Sequence, residues 1–239
     1  MIDVKVIGSS SKGNAYLIND GERSLLLEAG INLTKRNIDL SNCDACLITH
    51  EHGDHSKYAM DIINTSGMDV YMSAGTQKAL QLPRHRVKEI KALEEFQVGN
   101  WRVLPFDTEH NMQKASKFNV NEPLGFFIQA KSGENILFAT DTKYIRYKLP
   151  GITHLMIECN YKIEIINDNV MNGTIHASLR DRIVATHFEL QNVKKFIQSN
   201  DMSNLQEVWL LHLSSSNADP AFFKEEIQAI TGVPVYVAE

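Results

Sequence analysis

"CLITHEHGDHS", residues 46–56, runs from an apolar segment straight into three histidines and an aspartate between His50 and His55. Such side chains are costly inside a fold unless they share a partner, and a metal ion is the partner that suits imidazole and carboxylate together. If the strand that starts in "DACLI" continues that far, His50 and His52 project to the same side and grip one ion. Asp54 and His55 are adjacent and diverge, so after a turn at Gly53 they are placed to hold a second ion. The spacing H-x-H-x-D-H therefore asks for two metals. The rival zinc-helix signature, H-E-x-x-H, starts correctly at His50 and Glu51 but meets Asp54 where it needs a histidine.

Two ions need more ligands than this segment supplies. Downstream, His110 in "PFDTEHN", Asp141 in "LFATDTKY" and His212 in "EVWLLHLS" each stand where an apolar strand gives way to polar loop residues. Groups carried at strand ends on a rigid sheet are a common build for such a site.

The rest of the chain bounds the setting. With 239 residues, 43% hydrophobic and 22% charged, it has the composition of a globular protein that buries a sizeable core. Its net charge is −5, with basic residues only in local clusters such as "LPRHRVKEIK" and "KYIRYK". A long polyanion is usually tracked by a broad basic face, so the balance favours a small substrate. No apolar run reaches the roughly 18 residues of a membrane span, and the N-terminus lacks the pattern of a signal peptide. A cytoplasmic protein with no membrane partner is expected. Cys43 and Cys46 form C-x-x-C, but Cys159 is the only other cysteine, which leaves no second pair for a four-sulfur site. They read as small core residues.

Apolar runs of strand length at 2–7, 15–18 and 24–28, then in "DACLI", "DVYMS", "WRVLPF", "LGFFIQA", "NILFA", "HLMIE", "EVWLL" and "VPVYV", alternate with helical periodicity. Leu190, Val193, Phe196 and Ile197 share one helix face, as do Phe223, Ile227 and Ile230. Asp219, Pro220 and Gly232 punctuate the last helix. With no repeat or linker, the pattern predicts one α/β layered domain over 1–239.

The H-x-H-x-D-H motif with His110, Asp141 and His212 resembles the metallo-β-lactamase superfamily. That resemblance implies a four-layer αβ/βα sandwich with a dinuclear centre: His50, His52 and His110 on one metal, Asp54, His55 and His212 on the other, Asp141 bridging. Two zinc ions are expected, and manganese or iron suits the same ligands. "GSSSKGN" (8–14) and "LLHLSSSN" (210–217) resemble the YycJ (WalJ) nucleases. "IECNY" (157–161) and "ATHFELQN" (185–192) resemble transfer-RNA 3′ processing enzymes. Those two stretches place Glu158 and His187 beside the site, so that Asp54, Glu158 and His187 are the catalytic candidates, His187 as proton donor to the leaving oxygen or as a phosphate contact. The whole set also resembles small phage-associated anti-Pycsar phosphodiesterases. The resemblance thus implies a metal-dependent phosphodiester hydrolase, first of 3′,5′-cyclic nucleotides to linear monophosphates in the host cytoplasm, alternatively a YycJ-like DNA exonuclease. Dimeric relatives in which a partner completes the pocket make a homodimer part of the expectation.

One position departs from the family. "LLLEAG" carries Glu28 where the superfamily usually has an aspartate that orients a metal ligand, and the extra methylene puts that support in question. Elsewhere the plain readings prevail: "GSSSKGN" as a turn with Lys12 an outside phosphate contact, Lys143, Tyr144 and Arg146 as a basic loop as readily as a substrate contact, and Phe126, Phe127, Phe222 and Phe223 as packing residues. His85, His154 and His176 receive no role.

Overall fold

The computed structural model describes residues 1–110 and 122–239. Two compact units make up the described chain: 1–107, 122–134 and Glu239 in one, 108–110 and 135–238 in the other.

The first unit starts with an antiparallel meander, β1 (Asp3–Ser10), β2 (Gly13–Asn19) and β3 (Ser24–Leu27), and continues into parallel pairing with β4 (Cys43–Leu47). After two helices, α1 (Gly53–Ser56) and α2 (Ala59–Ser66), come β5 (Val70–Ser73), α3 (Ala74–Leu80) and β6 (Val87–Ile90), which complete a six-stranded sheet in the order β1 to β6. The same unit holds β7 (Phe96–Val98), β8 (Trp101–Asp107) and β9 (Leu124–Ala130), joined antiparallel. Leu26, Cys46, Ile48, Ile62, Val70 and Met72 form its core. Each buried side chain of this kind contributes on the order of 1.5–3 kcal/mol.

In the second unit, β10 (Asn135–Ala139) and β11 (His154–Glu158) are parallel neighbours. Three helices follow, α4 (Ile163–Met171), α5 (Ala177–Thr186) and α6 (Leu190–Ser199), then β12 (Glu207–Leu211), α7 (Pro220–Thr231) and β13 (Val235–Val237). β11, β12 and β13 continue the parallel order. Parallel strands need such crossovers, supplied by α4 to α6 between β11 and β12, by α7 between β12 and β13, and by an irregular segment between β10 and β11. The expected helix faces are present: Leu190, Val193, Phe196 and Ile197 are buried on α6, Phe223 and Ile227 on α7. Asp219 accepts from Phe222 N at the start of α7, and Gly232 ends it with φ 72°.

Two strands and five helices carry no clear signal in the sequence. β6 lies inside the cluster read only as basic, because Lys88 and Glu89 face solvent and break the alternation. β7 has only three residues. α1 has four residues and reads as a turn, α2 to α4 span seven to nine residues, too short to establish a period, and α5 mixes charged and apolar positions with little periodicity. No helix of the described residues is long and apolar enough to cross a membrane.

The cysteines behave as core residues. Burial pushes the Cys43 thiol up to about 12 and raises Cys46 and Cys159 well above the ordinary thiol range. No group of three or more metal-capable side chains among the described residues includes a cysteine. At pH 8 the native protein should therefore resist iodoacetamide, while the unfolded chain takes up three labels. Mass spectrometry reads this directly, and rapid native labelling of Cys43 would contradict it.

Candidate metal centre

Each unit holds candidate donors. In the first, β4 stops at Leu47, so His50 and His52 stand in a loop and the extended-strand argument for their common side does not hold. A tight bend into α1 does the work instead. The amides of His55 and Ser56 both donate to the His52 carbonyl, and Ser56 Oγ donates to the carbonyls of Glu51 and His52. His50 Nε2 then lies 3.0 Å from His52 Nδ1, and His55 Nε2 lies 3.3 Å from Asp54 Oδ2. Donors on one tetrahedral zinc, with bonds of about 2.0–2.2 Å, stand roughly 3.3 Å apart. Both pairs have the spacing of ligands that share an ion.

Behind these donors sits Glu28, fully buried, in the first position after β3 and with φ 67°. Its Oε1 accepts from Thr49 Oγ1 at 2.5 Å and lies 3.1 Å from His55 Nδ1, while Oε2 accepts from Thr49 N. Since the Thr49 hydroxyl gives its hydrogen to Glu28, it can only accept from His50 Nδ1, 2.8 Å away. One carboxylate thus lies against His55 directly and addresses His50 through a hydroxyl, leaving Nε2 of each ring as the candidate donor to a metal. The extra methylene of Glu28 is accommodated, and the support anticipated from an aspartate is in place.

In the second unit, Asp141 follows β10 and His212 follows β12, both with positive φ, 47° and 52°. His212 Nδ1 lies 3.0 Å from Asp141 Oδ1. His110 directs Nδ1 to the Thr186 carbonyl at 3.1 Å, and its Nε2 lies 3.9 Å from Asp141 Oδ2. Donor atoms of Asp141, Glu158, His187 and His212 all lie within 4.8 Å of one another. Buried imidazoles and carboxylates, with ring nitrogens held by hydroxyl, carboxylate or carbonyl oxygens, fit a divalent metal.

Glu158 ends β11 and is fully buried. Oε1 accepts from His187 Nδ1 at 2.6 Å and His212 Nδ1 at 3.1 Å; Oε2 accepts from Thr142 N and Phe188 N. Burial alone would raise its carboxyl, but the His187 charge and these hydrogen bonds hold it below the usual range. Burial likewise works against the His187 cation, yet the charge and hydrogen bond of Glu158 raise that imidazole above its ordinary value. His187 caps the end of α5 and is not part of α6, whose N-cap is Glu189.

Nothing in the sequence marks the threonines that hold the site. Thr142 is the clearest case: its N–H donates to Glu158, and its hydroxyl accepts from Glu109 N and donates to the Tyr144 carbonyl. Lys143 and Arg146 both pair with Glu109, at 3.3 and 3.5 Å. "GSSSKGN" is the expected turn, closing the β1–β2 hairpin with Lys12 exposed. Its last residue was missed as a site residue: buried Asn14 reaches His55 Nε2 at 3.2 Å. His85 and His176 are exposed, the latter capping α5, and buried His154 bonds Thr153.

Comparison with known proteins agrees with this chemistry. A family model described as the beta-lactamase superfamily domain matches residues 23–197. Exodeoxyribonuclease WalJ of Streptococcus pneumoniae is 25% identical over 231 residues, covering 89% of this chain and 81% of its own. Exodeoxyribonuclease YycJ of Bacillus anthracis is 22% identical over 225 residues, covering 89% and 82%. The crystal structure of the metallo-β-lactamase fold protein YhfI from Bacillus subtilis superposes with a TM-score of 0.73 at 17% identity, over 100% of this chain and 97% of that one. That likeness shows the fold, the α/β sandwich expected from the sequence.

Replacing Glu28 with glutamine should remove the charge that serves Thr49 and His55. The expected loss is about 1–3 kcal/mol of stability, read as a fall in Tm of several degrees, with a roughly 10–100-fold weaker metal affinity in chelator competition.

Proposed function

Because the chain belongs to the beta-lactamase superfamily and is a metal-dependent hydrolase, we propose that it cleaves phosphodiesters and that the ends of DNA strands are its first substrate class. The observation that carries this reading is similarity across 89% of the chain to two proteins named exodeoxyribonucleases. It reverses the order expected from the sequence, where cyclic nucleotides stood first. One family model runs through residues of both units, which supports 1–239 as a single catalytic domain.

His50, His52, Asp54 and His55, together with His110, Asp141 and His212, are the proposed metal ligands, shared as the family resemblance implies. Two zinc ions are the first choice, with manganese or iron as alternatives. Divalent metal bound there would supply Lewis-acid stabilisation and an activated water. The chain's own residues do the rest. Glu28 keeps two imidazoles aligned. Glu158 holds His187 through Nδ1, so that the other ring nitrogen, Nε2–H, is the proton donor to the departing oxygen or the hydrogen-bond donor to phosphate. His187 is 18% exposed, enough to meet a substrate.

A second reading, hydrolysis of 3′,5′-cyclic nucleotides as a phage counter-defence, draws on two observations. Lys143 and Arg146 of the loop after Asp141 are already engaged by Glu109, and the net charge is −5. Neither suits a protein that tracks a long polyanion.

Purified metal-loaded protein should be offered end-labelled single- and double-stranded DNA and, separately, cyclic purine and pyrimidine nucleotides. Stepwise release of mononucleotides from DNA supports the first reading; linear monophosphates from the cyclic set alone replace it with the second. Inactivity on every phosphodiester would sink both. His187→Ala should lower turnover by roughly 10²–10⁴-fold while metal content, measured by atomic emission, stays unchanged.

A further inference from the structure

The nitrogen of His55 that faces the metal position meets two protein groups of opposite character. Asp54 Oδ2, 3.3 Å away, can only accept if ionised; Asn14 Nδ2, 3.2 Å away, can only donate. The orientation of the Asn14 amide is fixed, because Nδ2 also faces the Ser10 and Asp54 carbonyls, at 3.1 and 3.3 Å, and Oδ1 accepts from the Tyr16 hydroxyl. Asn14 is fully buried, and its backbone carbonyl accepts from Gly30 N. The amide nitrogen has two hydrogens and three acceptors around it.

We propose that Asn14 is a positioning residue that holds the metal place of His55 in the absence of metal. This rests on the reading of His55 as a ligand. Donation from Asn14 requires a bare Nε2, which puts the ring proton on Nδ1, the nitrogen that lies 3.1 Å from Glu28 Oε1. The lone pair that a metal takes is thereby presented outward, with the ring held by Asn14 at Nε2 and its Nδ1 against the Glu28 carboxylate. With a metal bound at Nε2, Asn14 would release that nitrogen and keep both hydrogens on the Ser10 and Asp54 carbonyls. No buried donor is orphaned, so the exchange avoids the penalty that ordinarily opposes displacing a buried hydrogen bond. Asn14 also ties the Asp54 backbone to the β1–β2 hairpin, so one side chain sets the position of two adjacent ligands.

The ring tautomer can be read without any catalysis. In ¹⁵N-labelled, metal-free protein, long-range ¹H–¹⁵N correlation of His55 should show a protonated Nδ1 and an unprotonated Nε2. An Nε2–H tautomer or an imidazolium overturns the proposal, because Asn14 could not then donate. Asn14→Ala should lose the single-tautomer pattern and weaken metal binding about tenfold in chelator competition. Unchanged tautomer and affinity in that variant would also overturn it. Should the variant fold poorly, the wild-type spectrum still decides. Failure of the ligand reading is distinguishable: zinc titration would then leave the His55 resonances unmoved, whatever tautomer the metal-free protein shows.

Discussion

A carboxylate with no exposure to water is the constraint on which the histidine segment depends. Glu28 accepts from the amide and hydroxyl of Thr49 and stands against His55, and through the hydroxyl it also fixes His50. Buried charge of this kind is tolerable only when donors surround it. The donors here belong to the loop that bears the candidate metal-binding nitrogens. Solvation of the carboxylate and alignment of the ligands are therefore the same set of bonds.

Backbone geometry reinforces this arrangement in both units. Glu28, Asp141 and His212 each occur within two residues of a strand's C-terminal end, and each adopts a left-handed φ that non-glycine residues rarely take. A strand that continued would send the next side chain along the sheet's alternation. The reversal of φ breaks that alternation at the position where a functional group must leave the sheet. Strain of this type persists where surrounding contacts over-determine it. Here the contacts are visible as the hydrogen bonds of Glu28 to Thr49, of Thr140 Oγ1 to Asp141, and of His212 to Glu158.

How much of this was legible in the sequence depends on how far each role rests on neighbours in the chain. The density of histidine and aspartate between His50 and His55 announced metal chemistry. The condition attached to the His50–His52 pairing, a strand continuing to them, is not met: β4 ends three residues before His50 and a helical bend brings the rings together. The family's aspartate role at Glu28 could be named, but whether a longer side chain would serve depended on Thr49 and His55, which only the fold brings close. Asn14 and Thr142 were unreadable for the same reason. Each acts through partners distant in the chain, and asparagine in a glycine-serine stretch reads first as turn chemistry. The strands read best were those with long apolar runs. β6 failed because half its residues are charged and exposed.

Gly30 shows how tightly the hairpin, the Glu28 segment and the histidine loop are fitted. A Cβ there would lie 1.7 Å from the Asp54 carbonyl oxygen and 2.7 Å from the Asn14 amide nitrogen, both main-chain atoms with little freedom to retreat. The three stretches are separated at this point by the width of a hydrogen atom. They behave like parts machined to one another, and a loop borrowed from another member of the fold would need the matching pieces at 8–14 and 28–30 to travel with it.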